Sequence, residues 1–208
     1  MPNICFLITT YNRQRSCQEL VDSLQGLGDI IVAHDGNDYE INGAVNLNPK
    51  IHFGKTGYWK LINMLYKNRT NCKYYFTLPD DFLISVTQIK EAINLWERID
   101  DPRKICLNLY ADREGKRCWT NIYPIDKGSV WQTGWVDMCF LCEDDFFQHL
   151  GIIPSLFPKG LKRIKGSSRV GAYISRLMVK KKFNMYQVKE SLITLHDEHF
   201  TSQMQKIC

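Results

Sequence analysis

Lys73-Tyr74-Tyr75-Phe76-Thr77-Leu78-Pro79-Asp80-Asp81-Phe82 is an apolar, aromatic-rich run that ends in two adjacent carboxylates. Aromatic and β-branched residues closed by proline read as a strand with a stop signal, which puts Asp80 and Asp81 at its carboxyl end. Open α/β sheets bind ligands along that edge. Adjacent carboxylates repel each other, so such a pair sits either in a solvated turn or beside a cation that offsets the charge. The flanking sequence favours the second alternative, a divalent-metal site.

Upstream, residues 4–9 read as a buried strand that runs into Thr9-Thr10-Tyr11-Asn12. Ser16 followed by Glu19 has the spacing of a capping box and predicts a helix start there, with Leu20, Val21, Leu24 and Leu27 on one face. Gly26 and Gly28 end that helix, and Ile30-Ile31-Val32-Ala33 forms a second strand closed by His34-Asp35-Gly36. Strand, helix and strand with short turns predict a right-handed crossover and a parallel sheet. A segment with Gly54, Lys55 and Gly57 then opens a helix carrying Leu61, Ile62, Leu65 and Tyr66. Three strand ends therefore bring polar groups to one edge.

Two familiar phosphate motifs fail. Gly26-Leu27-Gly28 lacks a third glycine and stands before a strand rather than after one, so it is not a dinucleotide fingerprint. Gly54-Lys55-Thr56 resembles the tail of a P-loop, but Pro49 occupies the place of the leading glycine.

Downstream, residues 86–99 predict an amphipathic helix stopped by Asp100-Asp101-Pro102, and residues 105–110 a further strand. Residues 111–131 show no period and have the polar, aromatic character of a binding loop. Residues 134–141 predict a strand with Asp137 set between Val136 and Met138, where a carboxylate needs a hydrogen-bond partner or a chemical role. Glu143, Asp144 and Asp145 suit the start of a helix through its dipole. A helix follows residues 166–171, residues 185–188 read as a last short strand, and the tail 191–199 contains His196.

Composition sets the bounds. The chain of 208 residues, 44% hydrophobic and 24% charged, predicts one globular domain with its own core. The amino terminus shows neither a basic region nor a cleavage site, which predicts a cytoplasmic protein whose eight cysteines are thiols. Cys139-Phe140-Leu141-Cys142 has no second pair to complete a zinc site, and no apolar run is long enough to span a bilayer. The formal net charge is +5, with basic clusters at Lys159, Lys162, Arg163 and Lys165 and at Lys180 to Lys182. No nucleic-acid-binding motif accompanies them, and they suit attraction of an anionic nucleotide.

In order and spacing these residues resemble the GT-A fold of nucleotide-sugar glycosyltransferases. The resemblance rests on Thr9-Thr10-Tyr11-Asn12-Arg13, His34-Asp35-Gly36, Pro79-Asp80-Asp81 in the place of an Asp-x-Asp metal motif, Gly134-Trp135-Val136-Asp137, and His196. It implies one domain over residues 1–208, an α/β fold with a central, mostly parallel sheet flanked by helices and the nucleotide at the carboxyl ends of the strands. Residues 1–110 would bind the nucleotide sugar, and residues 111–208 would form the acceptor side and a metal-binding tail. It further implies a UDP-sugar donor, manganese or alternatively magnesium, and a glycan acceptor. Pro79 replaces the first acid of the motif, so the metal would rest on Asp81 and His196, with Asp80 toward ribose or sugar. Thr9, Thr10, Tyr11, Arg13, Asp35, Gly36, Lys55, Gly57 and Pro79 would line the donor, with Tyr11 stacking on the base. Asp137 would face the reacting carbon, in either an inverting or a retaining reaction. A sugar-nucleotidyltransferase would carry a glycine-rich basic loop where Thr9-Thr10-Tyr11-Asn12-Arg13 stands, and a binding module of the same fold would show no turnover.

Overall fold

The computed structural model describes residues 3–111, 124–156 and 168–196. Strand β1 (Ile4–Thr10) is buried along its whole length because it lies between β2 (Asp29–His34) and β4 (Tyr74–Pro79), parallel to both. A central strand covered on both faces must be apolar on both, which is why residues 4–8 show no alternation. Phe6 and Ile8 face a core built on α1 (Gln14–Leu24) and α3 (Val86–Arg98), whereas Cys5 and Leu7 face α2 (Gly54–Lys67), α4 (Asp144–Leu150) and α5 (Val170–Lys180). The sheet is thus sandwiched between two helical layers.

Adding β3 (Val45–Leu47), β6 (Lys104–Asn108), β7 (Ile125–Asp126), β8 (Val130–Thr133), β9 (Phe140–Cys142) and β10 (Asn184–Val188) gives a nine-stranded sheet of order β3-β2-β1-β4-β9-β6-β10-β8-β7. Its pairings leave β8 and β9 reversed and the other seven strands running one way. The mixed, mostly parallel α/β sheet predicted from the sequence is therefore the observed fold. A second, two-stranded sheet pairs β5 (Phe82–Leu83) with β11 (Thr194–Leu195). Among the described residues no helix is long and apolar enough to cross a membrane.

Several expectations are corrected. The capping box at Ser16 and Glu19 does not form: α1 begins at Gln14, and the Ser16 hydroxyl donates instead to the Asp80 carbonyl at 2.8 Å. A tertiary acceptor took the side chain that local spacing had assigned to a cap. A capping box does open α3, where Ser85 Oγ accepts from the Gln88 N–H and the Gln88 side chain accepts from the Ser85 N–H. The strand predicted over residues 134–141 shrinks to Phe140–Cys142, because only those residues pair with β4 and β6. β10 is followed by β11, so it is not the last strand. Part of the irregular region 111–131 is strand, β7 and β8, while residues 112–123 lie outside the described residues. The cluster from Lys159 to Lys165 also lies outside them, as do Cys118 and Cys208; the other six cysteines are buried free thiols.

Gly28 lies where β2 starts, and a Cβ at that position would overlap the Ile4 carbonyl oxygen. Gly28→Ala is expected to lower stability in urea unfolding by ~1–3 kcal/mol, the usual cost of overpacking against rigid backbone. Ile152→Ala is the control, at a side chain 84% exposed. Equal midpoints for the two variants would contradict the packing described for β1 and β2.

Candidate functional site

The carboxyl ends of β1 and β4 are joined through Asp80, which is 3% exposed. Its Oδ2 accepts from the Thr10 hydroxyl at 2.8 Å and the Tyr11 N–H at 3.1 Å, and its Oδ1 accepts from Arg13 Nη1 at 2.7 Å. Burial pushes its carboxyl up to about 6, against the opposing pull of Arg13 and Thr10. It is ionised at neutral pH, and three protein donors engage both of its oxygens. The Tyr39 hydroxyl ties the same turn together, meeting Thr10 Oγ1, the Arg13 N–H and Asn37 Nδ2, each at 3.0 Å. The turn needs this support because Asn12 adopts a left-handed φ of 53°.

Asp81, 8% exposed, holds one oxygen 3.4 Å from the same Arg13 nitrogen. Its carbonyl accepts from the His196 N–H at 2.8 Å, a bond that continues the β5–β11 ladder. The backbone thus delivers His196 to Asp81 from more than a hundred residues away. The imidazole Nε2 lies 2.8 Å from Glu19 Oε2. Among the described residues no group of three candidate ligands surrounds a metal position. A carboxylate and an imidazole nevertheless fit a hard divalent cation that completes its coordination with diphosphate oxygens and water. In that role His196 would exchange Glu19 for the ion.

At the end of β2, the Asp35 carboxylate accepts from the Phe53 N–H at 2.5 Å and the Gly54 N–H at 3.1 Å, fixing the start of α2. The His52 ring stacks on Tyr11, with centroids 4.5 Å apart and planes inclined by 18°, and Tyr11 remains 41% exposed. Gly36, at φ +79°, makes this approach possible, since a Cβ there would come within 2.7 Å of the His52 nitrogen. Gly57 likewise accommodates the Phe53 side chain, while Lys55 is exposed on the first turn of α2. Pro79 pairs with Thr9 at the end of the β1–β4 ladder.

Asp137 is exposed in a loop rather than set in a strand, between the buried Val136 and Met138. Asn108 at the end of β6 clamps that loop, donating to the Trp135 carbonyl at 2.7 Å and accepting from the Asp137 N–H at 3.0 Å. The Asp137 carboxylate accepts from the Met138 N–H at 2.8 Å, and Ser175 of α5 accepts from the Val136 N–H at 3.0 Å. Tyr58 lies within the field of both Asp137 and the acidic pair. Its hydroxyl lies 3.1 Å from Thr9 Oγ1, and burial first, then the fields of Asp80, Asp137 and Asp81, push the phenol up.

Thr9, Thr10, Tyr11, Arg13, Asp80, Asp81 and His196 therefore share one connected edge, with Asp35, Gly36, Lys55 and Gly57 beside it and Asp137 close enough for its charge to act on Tyr58. Sequence reasoning missed Tyr39, His52, Tyr58 and Asn108. None stands in a motif, and only their position near strand ends or at the start of α2 could have flagged them. Asn108→Ala is expected to cost ~1–3 kcal/mol of stability, because Asn108 is buried and its loss removes both hydrogen bonds of the clamp. Amide exchange at Asp137 should accelerate while that of Tyr11 does not. Unchanged exchange at Asp137 would show that the clamp is not what holds the loop.

No protein-family model and no characterised protein matches the sequence. Solved structures do match in three dimensions. The crystal structure of GalNAc-T7 with UDP, GalNAc and Mn2+ superposes with a TM-score of 0.64 at 14% identity, covering 95% of this chain and 45% of the other. TarS 1–349 of S. aureus superposes with a TM-score of 0.59 at 13% identity, covering 93% of this chain and 60% of the other. The chain thus spans about half the length of these matched structures. At such identities the likeness speaks for architecture, and the chain has the GT-A glycosyltransferase fold.

Proposed function

We propose that the chain is a metal-dependent glycosyltransferase that moves a sugar, of the hexosyl class, from a UDP-sugar donor to a glycan acceptor. The observation that carries this reading is the meeting of Asp81, Arg13 and His196 at the carboxyl end of β4, with the Asp137 carboxylate near enough for its field, like those of Asp80 and Asp81, to act on Tyr58. The GalNAc-T7 structure of the same fold contains UDP, GalNAc and Mn2+, which supports the donor class and the ion. Residues 1–110 form the donor half in this reading, and residues 111–208 the acceptor half and metal-binding tail. The order and spacing of the motif residues also resemble those of a glycosyltransferase domain of an algal-virus protein that builds capsid glycan. The acceptor is accordingly assigned to a glycan on a capsid protein, with the reaction in host cytoplasm.

Transfer leaves a nucleoside diphosphate whose growing negative charge must be stabilised. Bound between Asp81 and His196, manganese or magnesium would supply Lewis-acid stabilisation of that charge. Arg13 adds a guanidinium at the same point, and Lys55 a further positive charge from α2. Tyr11 offers its exposed face to uracil once His52 moves aside, and Asp35 with Gly36 shapes the wall around base and ribose. Thr10 and Asp80 hold the edge in place, and Pro79 ends the strand so that Asp81 follows at the rim. Asp137 acts at the reacting carbon. In an inverting reaction it takes the proton from the acceptor hydroxyl; in a retaining one it supports the oxocarbenium-like centre, and the departing phosphate takes the proton.

Asp81→Ala is expected to keep its unfolding midpoint and lose manganese-assisted UDP binding by about tenfold or more, the scale of one charge-assisted contact. Unchanged UDP affinity with manganese present would remove Asp81 from the metal site. Asp137→Asn should bind UDP within about twofold of the parent but transfer sugar at least about a hundredfold more slowly, as for loss of an acid–base group. Parallel losses of binding and transfer would assign Asp137 to donor positioning instead.

A further inference from the structure

The Tyr58 and Thr9 hydroxyls meet at 3.1 Å, and neither hydroxyl makes another hydrogen bond among the described residues. Two hydroxyls carry two protons, and the bond between them uses one. The second proton is available to a third oxygen. Asp80, Asp137 and Asp81 all lie near enough to oppose ionisation of the phenol, yet none accepts a hydrogen bond from it. A neutral donor that keeps its proton thus stands near three carboxylates, with Arg13 already engaged by Asp80 and Asp81.

We propose that the Tyr58–Thr9 pair donates this hydrogen bond to the distal phosphate of the bound nucleoside diphosphate, which makes Tyr58 a binding residue of the donor site. The inference rests on the nucleotide-sugar reading above and extends it to a residue outside every recognised motif. The choice of phosphate over sugar follows from donor and acceptor chemistry. Sugar hydroxyls can donate to the carboxylates around them, whereas phosphate oxygens only accept and find few donors at this edge. Position agrees. Tyr58 lies one helical turn beyond Gly54, whose N–H donates to Asp35, and its hydroxyl reaches Thr9, which pairs with Pro79 two residues before Asp81.

Tyr58→Phe keeps the ring and its packing while deleting the hydroxyl. Calorimetric titration of parent and variant with UMP and with UDP, in manganese chloride, separates the distal phosphate from the rest of the nucleotide. The expected result is a Kd for UDP raised about tenfold and a Kd for UMP changed by less than about twofold, as for a lost hydrogen bond to a charged acceptor. UDP affinity that does not change, or UMP weakened as much as UDP, overturns the assignment. A parent protein that fails to bind UDP at all overturns the donor reading together with it. Normal binding by the parent and an unaltered variant overturns the Tyr58 assignment alone.

Discussion

Everything at the functional edge depends on one buried carboxylate being satisfied. Asp80 takes hydrogen bonds from Thr10, from the Tyr11 N–H and from Arg13, while its own peptide unit donates to the Thr9 carbonyl and accepts from Ser16. Those bonds stitch the ends of β1 and β4 to the start of α1. Leaving such a charge buried without partners would cost several kcal/mol, so the turn around Asn12 is held in a left-handed conformation that it would not choose alone. The two adjacent acids then divide the labour. Asp80 fixes the edge from within, and Asp81 stands next to it beside Arg13 and the incoming His196.

Much of the architecture was legible because burial writes itself into composition. The unbroken apolar run of β1 and the 3.6-residue periods of α1 and α3 follow directly from the layers that cover them. Strand ends were legible for the same reason, and with them Thr9 to Tyr11, Asp35, Asp80 and Asp81. The failures share a cause as well. Ser16 and Glu19 have the spacing of a cap but are claimed by Asp80, Arg15 and His196, partners invisible to a local rule. The apolar stretch before Phe140 promised a strand, but Asn108 and Ser175 pull its first residues into a loop. Tyr39, Tyr58 and Asn108 act through single hydroxyl or amide groups placed by tertiary structure. No periodicity announces them.

The electrostatics of the edge bear on its chemistry. The chain carries a formal charge of +5, yet Asp35, Asp80, Asp81 and Asp137 gather near the strand ends. A diphosphate would add further negative charge to that region, and at short range in a poorly solvated cleft such repulsion is strong. Arg13 is already shared between Asp80 and Asp81, at 2.7 and 3.4 Å. With Arg13 so engaged and Lys55 exposed on α2, a positive centre held at Asp81 itself is the simplest way for this edge to accept a nucleoside diphosphate, which is the physical basis for expecting a divalent cation. It also gives neutral donors such as the Tyr58 hydroxyl a value that they would not have in a basic pocket.

The most direct test is calorimetric titration of the intact chain with UDP, GDP and CMP, each with and without manganese. The account predicts that UDP binds, that manganese strengthens its binding by an order of magnitude or more, and that GDP and CMP bind far more weakly. No binding of any nucleotide, or UDP binding indifferent to the metal, would contradict the claim that this edge is a metal-assisted donor site.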